Sequence, residues 1–416
     1  MRILHVSWEY PPLVYGGLGR HVHALAEAQA AAGHEVTVVS QYVADEPFDI
    51  VRNGVRIVRA LPAPPDLPFE EQYLLGWVFG LQHAMVRAAF IAEPRGRFDV
   101  VHAHDWVVAH AAVTLADAYD LPLVATMHAT EAGRHQGWLP GQLQRTVHSI
   151  EFWLADMAAH VITCSQHMRW EVETLFTTPD SRITTIPNGI DLDVWKARPR
   201  DIKEQRSRWA GDGPLVVFTG RLQWEKGVQT LLEATKVLKR RVPDLRVVVA
   251  GRGTYESDLR QLAKALRLGR TVAFTGYLTH EELTGLVAAA DVAVVPSLYE
   301  PFGLVAIEAA ALGTNVVLSQ AGGLAEMVSD GITPFSFKPG DAADLADVIE
   351  AAIDARPATT KVRRLLASAY SWPGIAERTV AVYVQAAKSK HPRRRSTAGA
   401  WDREEREGNL LHPERI

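Results

Sequence analysis

Cysteine is almost absent from this chain of 416 residues, and its scarcity excludes whole classes of site. The single cysteine, Cys164, cannot form an intrachain disulfide or a metal site built from several thiolates. A sequence without disulfides suits a reducing compartment. We therefore expect a cytoplasmic protein in which Cys164 is a small core residue.

An excess of charge of one sign is also missing. The chain has 44 lysines and arginines against 48 aspartates and glutamates, which gives a formal net charge of -4. Without a basic surplus, we expect no nucleic-acid partner. Hydrophobic residues make up 47% of the chain and charged residues 22%, as is typical of a globular protein. Because single cores stop growing beyond roughly 250 to 300 residues, this length predicts two domains.

The sequence lacks a long uninterrupted hydrophobic run. Its most apolar stretch, residues 73–92, contains Gln82, His83 and Arg87, so we interpret it as a buried or amphipathic helix. The apolar start at residues 3–6 is too short for a secretory signal. We expect no stable membrane insertion and at most weak peripheral contact, through residues 73–92 or the arginine run at 393–395.

Strand-like runs alternate with helical segments along most of the chain. This βαβ pattern predicts an α/β fold of two doubly wound, Rossmann-like units with parallel sheets. The predicted strands are residues 2–7, 35–40, 100–103, 123–127 and 161–164, then 215–219, 246–250, 272–275, 292–296 and 315–319.

A polar stretch at residues 196–213 separates the two sets of strands. We predict an N-terminal domain at 1–196, a C-terminal domain at 197–372, a last helix at 373–388 and a disordered tail at 389–416. Ligands of such sheets lie beyond the carboxyl ends of the strands. We therefore expect the site in a crevice between the two domains, lined by both sets of strand-end loops.

Glu300 and Glu308 form the most informative motif, because a strand-like run leads straight into them. Pro301 suits a first helical position, so we predict a helix that starts near it. Its first turn would present the free N-H groups of Phe302, Gly303 and Leu304 to an anion.

Eight positions along one helix correspond to about 12 Å of rise and about 80° of rotation. The two carboxylates would then reach two ends of one elongated ligand. A retaining glycoside hydrolase fits poorly, because its two carboxyl groups must lie about 5 to 5.5 Å apart. The structural alternative is an amphipathic helix with a glutamate at its favourable N-terminal end.

Two loops after strands carry residue types that bind phosphate. The glycines of Gly16-Gly17-Leu18-Gly19 let backbone N-H groups approach an anion, although a flexible turn would also explain them. Arg221 and Lys226 follow the strand at 215–219 and can neutralise a departing diphosphate in place of a divalent metal. A salt-bridged surface turn is the alternative for this pair.

Histidines provide further candidates at strand ends. His128 follows the strand at 123–127 and is either a polar contact in a site or a hydrogen-bonded core residue. His102 and His104 are of metal-ligand type, but we expect their side chains to point to opposite faces of a strand. We predict no metal site there.

Together these motifs resemble the GT4 family of glycosyltransferases, over residues 1 to about 388. The resemblance implies the GT-B fold, with two Rossmann-like domains facing across a cleft and a final helix, here 373–388, that returns to the first domain. The motifs, in chain order, are Gly16–Gly19, His102–Asp105, His128, Pro187–Asp191, Gly220–Leu222, Glu225–Gly227 and Glu300–Glu308.

The resemblance also implies a role for each matching position. Arg221 and Lys226 match contacts to the donor diphosphate, and Glu308 matches the contact to its ribose. Glu300, with the amides of Phe302, Gly303 and Leu304, matches contacts to the transferred sugar. His128 matches the active-site histidine, and Gly16 and Gly17 match a loop over the phosphates. The residues that we assign to the acceptor side are Glu9, Tyr10, Asp105, Arg134 and Trp138.

The reaction that the family implies is transfer from a nucleoside diphosphate sugar with retention of configuration, without a metal or another cofactor. The segments at 7–12, 102–106 and 126–131 look most like bacterial glycogen-synthase-like α-1,4-glucosyltransferases, including those that elongate methylglucose lipopolysaccharides. We therefore expect glucose from UDP-glucose or ADP-glucose, and a glucan or glucosyl-lipid acceptor. The Lys-x-Gly-Gly loop of archetypal glycogen synthases is replaced by Val14-Tyr15-Gly16-Gly17, so their preference for ADP-glucose cannot be carried over.

Other interpretations keep parts of this prediction. The same fold can glycosylate a small or lipid-linked acceptor with another sugar, or bind a nucleotide sugar without turnover. A GT-B epimerase or phosphorylase has no supporting motif here. We expect a monomer or a homodimer.

Overall fold

The computed structural model describes residues 1–61, 67, 70–94, 96–356 and 359–389. These form two compact units, one of Met1–Gly189 with the segment from Trp372 onward and one of Ile190–Ser371. The sequence predicts the domain boundary after Lys196, whereas the structure has it between Gly189 and Ile190. The predicted disordered tail lies outside the described residues from position 390 onward.

Unit one contains an eight-stranded sheet in the order β3-β4-β2-β1-β5-β6-β7-β8. All neighbouring strands are parallel except the β3–β4 pair. The strands are β1 (Arg2–Val6), β2 (Glu35–Ser40), β3 (Asp49–Arg52), β4 (Val55–Arg59), β5 (Val100–His104), β6 (Leu123–Met127), β7 (His160–Thr163) and β8 (Ile183–Thr185). The sequence pattern missed β3, β4 and β8, which are short or carry charged residues.

Helices connect the parallel strands of this sheet. They are α1 (Gly17–Ala31), α2 (Leu74–Ala92), α3 (Ala109–Tyr119), α4 (Glu131–Arg134), α5 (Gln142–Met157) and α6 (Gln166–Phe176). Glu71–Ala92 is long and apolar enough to span a membrane by length and composition, and 39% of its most apolar window is buried. Val78, Leu81 and Met85 of α2 lie in the interior of unit one, while Phe79 and Phe90 are exposed.

Unit two contains six parallel strands in the order β11-β10-β9-β12-β13-β14. They are β9 (Leu215–Thr219), β10 (Arg246–Ala250), β11 (Val272–Gly276), β12 (Val292–Val295), β13 (Asn315–Ser319) and β14 (Phe335–Phe337). Counted from β9, this is the 3-2-1-4-5-6 order of the Rossmann fold, whose strand order reverses between the first and fourth strands. A ligand site is therefore expected where β9 and β12 end.

The helices of unit two are α7 (Pro199–Trp209), α8 (Val228–Arg241), α9 (Glu256–Ala265), α10 (His280–Ala289), α11 (Leu304–Leu312), α12 (Gly323–Ser329), α13 (Ala342–Ile353) and α14 (Thr359–Ala369). The valine-rich strands β9, β10 and β12 are almost completely buried, as in a parallel sheet covered on both faces. The predicted α/β class with two Rossmann-like units is confirmed.

The chain then returns to unit one as α15 (Trp372–Lys388). Ile375 and Tyr383 of α15 lie in one hydrophobic core with Val22 and Leu25 of α1. Tyr383 is fully buried although it is polar, and its hydroxyl needs a partner there. That partner belongs to a buried histidine network.

Candidate functional site

In unit two, the loops that follow β9 and β12 meet through a partly buried ion pair. The Lys226 ammonium lies 2.9 Å from a carboxylate oxygen of Glu300, and the two side chains are only 18% and 16% exposed. Ser297 donates a hydrogen bond of 3.3 Å to the same carboxylate. Lys226 and Glu300, which the sequence predicted as separate candidates, therefore form one ion pair at the reversal point of the sheet.

Backbone contacts lock these two loops together. The carbonyl of Glu225 accepts hydrogen bonds from the N-H groups of Leu298 at 2.7 Å and Tyr299 at 3.3 Å. Gly227 has a left-handed φ of +68°, and a Cβ atom there would lie 1.8 Å from the carbonyl oxygen of Pro296. Only glycine allows this approach.

We expect Gly227→Ala to destabilise unit two far more than Gly211→Ala does. Both glycines have positive φ, at +68° and +56°, so alanine costs about 1 kcal/mol at either position. At Gly211 a Cβ atom meets nothing within 4 Å, whereas at Gly227 it overlaps a backbone oxygen. We expect a further loss of about 2 to 4 kcal/mol for Gly227→Ala in urea unfolding. Equal unfolding midpoints for the two variants would contradict the packing described above.

The helix after this loop starts later than the sequence predicts. The prediction of a start near Pro301 was wrong, because α11 begins at Leu304 and Gly303 precedes it with a φ of +106° that a right-handed helix excludes. Of the three predicted first-turn amides, only that of Leu304 belongs to the helix. Phe302 instead buries its side chain near the ring of Tyr370, with 6.0 Å between the ring centroids.

The rise of about 12 Å expected between Glu300 and Glu308 along one helix does not apply either. Glu300 lies before α11 and is not part of it. Its backbone carbonyl accepts a hydrogen bond of 2.9 Å from the N-H of Gly323. Glu308 lies inside α11 and is buried. Arg221, on the loop after β9, is exposed. The structure thus joins Lys226 to Glu300 directly. Arg221 lies on the same loop as Lys226, and Glu308 lies in the helix that follows the loop of Glu300.

Two further loops at this edge of the sheet were missed by sequence reasoning. A Cβ atom on Gly251 would lie 1.8 Å from the carbonyl oxygen of Gly220, and one on Gly323 would lie 2.4 Å from that of Pro301. Leu222 donates a backbone hydrogen bond of 2.9 Å to Arg252. The sequence contained a signal for both loops, because Gly-x-Gly follows β10 and Gly-Gly follows β13.

In unit one, buried histidines form a hydrogen-bonded chain across β1, β5 and the end of β6. Gln29 Oε1 lies 2.8 Å from His5 Nε2, and His5 Nδ1 lies 3.0 Å from His104 Nε2. His104 Nδ1 lies 3.3 Å from His128 Nε2. Because an amide oxygen only accepts, His5 Nε2 carries a proton and, in the neutral ring, its Nδ1 carries a lone pair. His104 then donates through Nε2 and presents the lone pair of Nδ1 to His128.

The same network continues to the last helix. The Gln29 amide nitrogen donates to the Tyr383 hydroxyl at 3.1 Å, and that hydroxyl lies 2.7 Å from His102 Nδ1. His102 Nε2 lies 2.7 Å from Thr126 Oγ1. His128 is thereby connected to α15 through buried polar groups that no motif of the sequence links. A histidine on β1 in register with one on β5 was the available signal.

Burial keeps these imidazoles neutral. Removal from water lowers the pKa of His128 to about 3 and that of His5 to about 4. Desolvation by burial, followed by the neighbouring rings, holds the pKa values of His21, His102 and His104 well below the ordinary value for histidine. At neutral pH each ring therefore offers a lone pair.

Our expectation that His102 and His104 point to opposite faces was wrong. The side-chain period of a strand is two residues, so positions 102 and 104 share a face. Their ring centroids are 4.2 Å apart, and each has a ring nitrogen within 4.8 Å of one on His5.

Asp105 holds the backbone beside His128 in place. Its carboxylate accepts a 2.7 Å hydrogen bond from the N-H of His128. Its φ of +61° and ψ of 175° are essentially restricted to glycine and cost about 1 to 3 kcal/mol. Burial raises the pKa of Asp105 to about 6, against the hydrogen bonds from His128 and Ala129 and the charge of Arg134. A strained, buried carboxylate at a strand end is typical of a functional site.

Glu9 holds the glycine loop rather than standing open to solvent. Its carboxylate accepts hydrogen bonds from the N-H groups of Tyr15 at 2.8 Å and Gly16 at 3.0 Å. Gly17 begins α1. Among the other residues assigned to the acceptor side, Tyr10 is buried in the core, whereas Trp138 is 56% exposed.

The chain matches two family models, one for each part of this architecture. Residues 15–194 match the model described as Glycosyltransferase Family 4, and residues 199–369 match Glycosyl transferases group 1. A glycogen synthase of Mycobacterium tuberculosis is 43% identical over 406 residues, which cover 94% of this chain and 96% of that protein. The chain belongs to glycosyltransferase family 4.

Other relatives of this glycosyltransferase have names that describe other activities. A D-inositol 3-phosphate glycosyltransferase of Arthrobacter is 33% identical and covers 89% of each chain. The structure of a sucrose-phosphate synthase from Thermosynechococcus elongatus has a TM-score of 0.77 at 26% identity, covering 92% of this chain and 98% of that one. The predicted family, the GT-B fold class and the hexosyltransferase activity are confirmed.

Proposed function

We propose that this glycosyltransferase moves glucose from a nucleoside diphosphate glucose to the non-reducing end of an α-1,4-glucan or glucosyl-lipid acceptor, with retention of configuration. The partly buried pair of Lys226 and Glu300, at the reversal point of the unit-two sheet, is the observation that carries this proposal. A cation and a carboxylate at that point suit the two ends of a sugar diphosphate.

The ion pair explains how the site stays stable before the donor binds. A single buried charge is costly, and the partner compensates it. When a donor binds, its diphosphate supplies a new anion for Lys226, and the Glu300 carboxylate can accept hydrogen bonds from sugar hydroxyls. Arg221 adds a second cation on the same loop. Charge that develops on the departing diphosphate is then stabilised without a metal ion.

The other predicted residues fit the same division of labour. Glu308 is a buried carboxylate on α11 that can hold the ribose hydroxyls. His128 is neutral and hydrogen-bonds to His104, so it acts near the sugar as a polar contact and not as a cation. We propose that the departing phosphate oxygen takes the proton of the acceptor hydroxyl and that no enzyme nucleophile takes part.

The glycogen synthase relative supports a glucan acceptor. A second candidate is transfer to a small acceptor, which is favoured by the likeness to the D-inositol 3-phosphate glycosyltransferase. The fold and the donor half of the site are compatible with either acceptor, so the acceptor must be tested directly.

The test is to incubate the purified protein in EDTA with UDP-glucose or ADP-glucose and a maltooligosaccharide, and to follow product mass. We expect products that grow by one hexose at a time, from one donor in preference to the other, because Arg221 and Lys226 replace a metal. Growth only after Mg²⁺ or Mn²⁺ is added would contradict the metal-free mechanism. Donor binding without growth on any glucan would favour the small acceptor.

A further inference from the structure

A second cluster of histidines in unit one has the arrangement of metal ligands. His21, His104 and His128, which we call the histidine triad, each place a ring nitrogen within 4.8 Å of the other two. Tetrahedral Zn²⁺ with Zn–N bonds of about 2.0 to 2.1 Å needs nitrogens about 3.4 Å apart. His104 Nδ1 and His128 Nε2 are already 3.3 Å apart. The bound of 4.8 Å leaves the His21 nitrogen at most about 1.4 Å farther from each of the other two than this geometry needs.

His21 has no role in the hydrogen-bonded chain. It is only 5% exposed, and its Nδ1 atom has no hydrogen-bond partner within 3.5 Å among the residues that the structure describes, although the Asn188 side chain interacts with the same ring. A buried polar atom without a partner is uncommon and costs about 1 to 3 kcal/mol. Its ring centroid is 4.7 Å from that of His128. The two rings therefore lie side by side, and one nitrogen of each lies within 4.8 Å of one on His104.

The groups around His104 prepare it as a ligand. A metal-bound histidine usually donates its second ring N-H to another group, which sets its tautomer. His104 does this through Nε2 to His5, and His5 does the same to Gln29. The lone pair of His104 Nδ1 consequently points toward His128 Nε2, which carries the proton between them. A metal replaces this 3.3 Å contact, and the proton moves to Nδ1 of the His128 ring, so that Nε2 offers its lone pair.

The other histidine set, His5 with His102 and His104, lacks these properties. Its members are fully buried, and both ring nitrogens of His5 and of His102 already have hydrogen-bond partners. His128, by contrast, is half-buried, so the triad has one member that is not fully enclosed.

We propose that the histidine triad binds a divalent transition-metal ion of the Zn²⁺ class. Neutral imidazoles suit Zn²⁺, Co²⁺ and Ni²⁺, whereas Mg²⁺ and Mn²⁺ prefer oxygen ligands. A bound ion occupies His128 and stops sugar transfer, so Zn²⁺ is a reversible inhibitor. The inhibition rests on the proposed function of His128, but the binding of the ion does not.

The test is a titration of the metal-stripped full chain with Co²⁺, followed by its visible absorption. We expect saturation at one ion per chain with the intense bands of tetrahedral Co²⁺, which added Zn²⁺ removes. His21→Ala and His128→Ala should each weaken binding at least tenfold. His23→Ala, on the same helix and paired with Glu27, should leave binding unchanged.

Activity supplies an independent readout. Zn²⁺ but not Mg²⁺ should inhibit, and His21→Ala should need at least tenfold more Zn²⁺ for half-inhibition of its own metal-free rate. If His21→Ala does not fold, the Co²⁺ titration of His128→Ala decides. Unchanged Co²⁺ affinity in both triad variants, or a non-tetrahedral spectrum, would overturn the proposal. A protein that transfers no sugar still gives the Co²⁺ result, so the two proposals fail separately.

Discussion

Lys226→Met is expected to lower the turnover number about 100- to 1,000-fold, which is the usual cost of removing one preorganised group that stabilises transition-state charge. Methionine keeps the apolar stem of the side chain and removes its cation. Because the charge on the departing diphosphate grows during the reaction, the loss should appear in kcat more than in the KM for the donor. Steady-state kinetics, with whichever of UDP-glucose and ADP-glucose supports chain growth, measures both.

Two controls separate this effect from damage to the fold. Lys236→Met alters an exposed lysine on α8 and should leave kcat within about twofold, since surface changes of this kind are small. Lys226→Met also leaves the Glu300 carboxylate without its cation, so Glu300→Gln in the same chain should recover thermal stability, while turnover stays well below that of Glu300→Gln alone. If kcat returns with stability, Lys226 only supports the structure.

Glu308→Ala and His128→Ala are expected to damage different steps. Loss of the buried Glu308 carboxylate should weaken nucleotide binding about 10- to 100-fold, because hydrogen bonds to a charged group are worth about 1.5 to 3 kcal/mol. His128→Ala should lower turnover about 100-fold with a modest effect on donor affinity. Calorimetry with the nucleoside diphosphate and kinetics with the full donor distinguish the two variants.

Matched substitutions test whether the positions matter or only the residue types. Glu233→Ala removes an exposed carboxylate from α8, and His110→Ala removes a half-buried histidine of α3 outside the network. Neither should change nucleotide affinity or turnover by more than about twofold. An equal loss of donor binding in Glu308→Ala and His128→Ala would refute the assignment of donor binding to Glu308 and of turnover to His128.

The strands near the site could be predicted from the sequence because buried parallel strands are continuous apolar runs. β9, β10 and β13 have the predicted bounds, while β3 and β14 are short and were missed. The start of α11 was mispredicted because proline at a first helical position is only a preference. The tight packing of Gly323 against Pro301, together with the left-handed Gly303, overrode that preference.

The sequence by itself determined the family and the two Rossmann-like units and predicted most residue types of the candidate donor site, because these follow from apolar runs and from motifs that are contiguous along the chain. Only the tertiary structure decided that Lys226 pairs with Glu300, that Glu9 holds the glycine loop and that five histidines meet in unit one. Such pairings join residues that are remote in sequence. They depend on strand order, register and side-chain direction, which a local pattern does not contain.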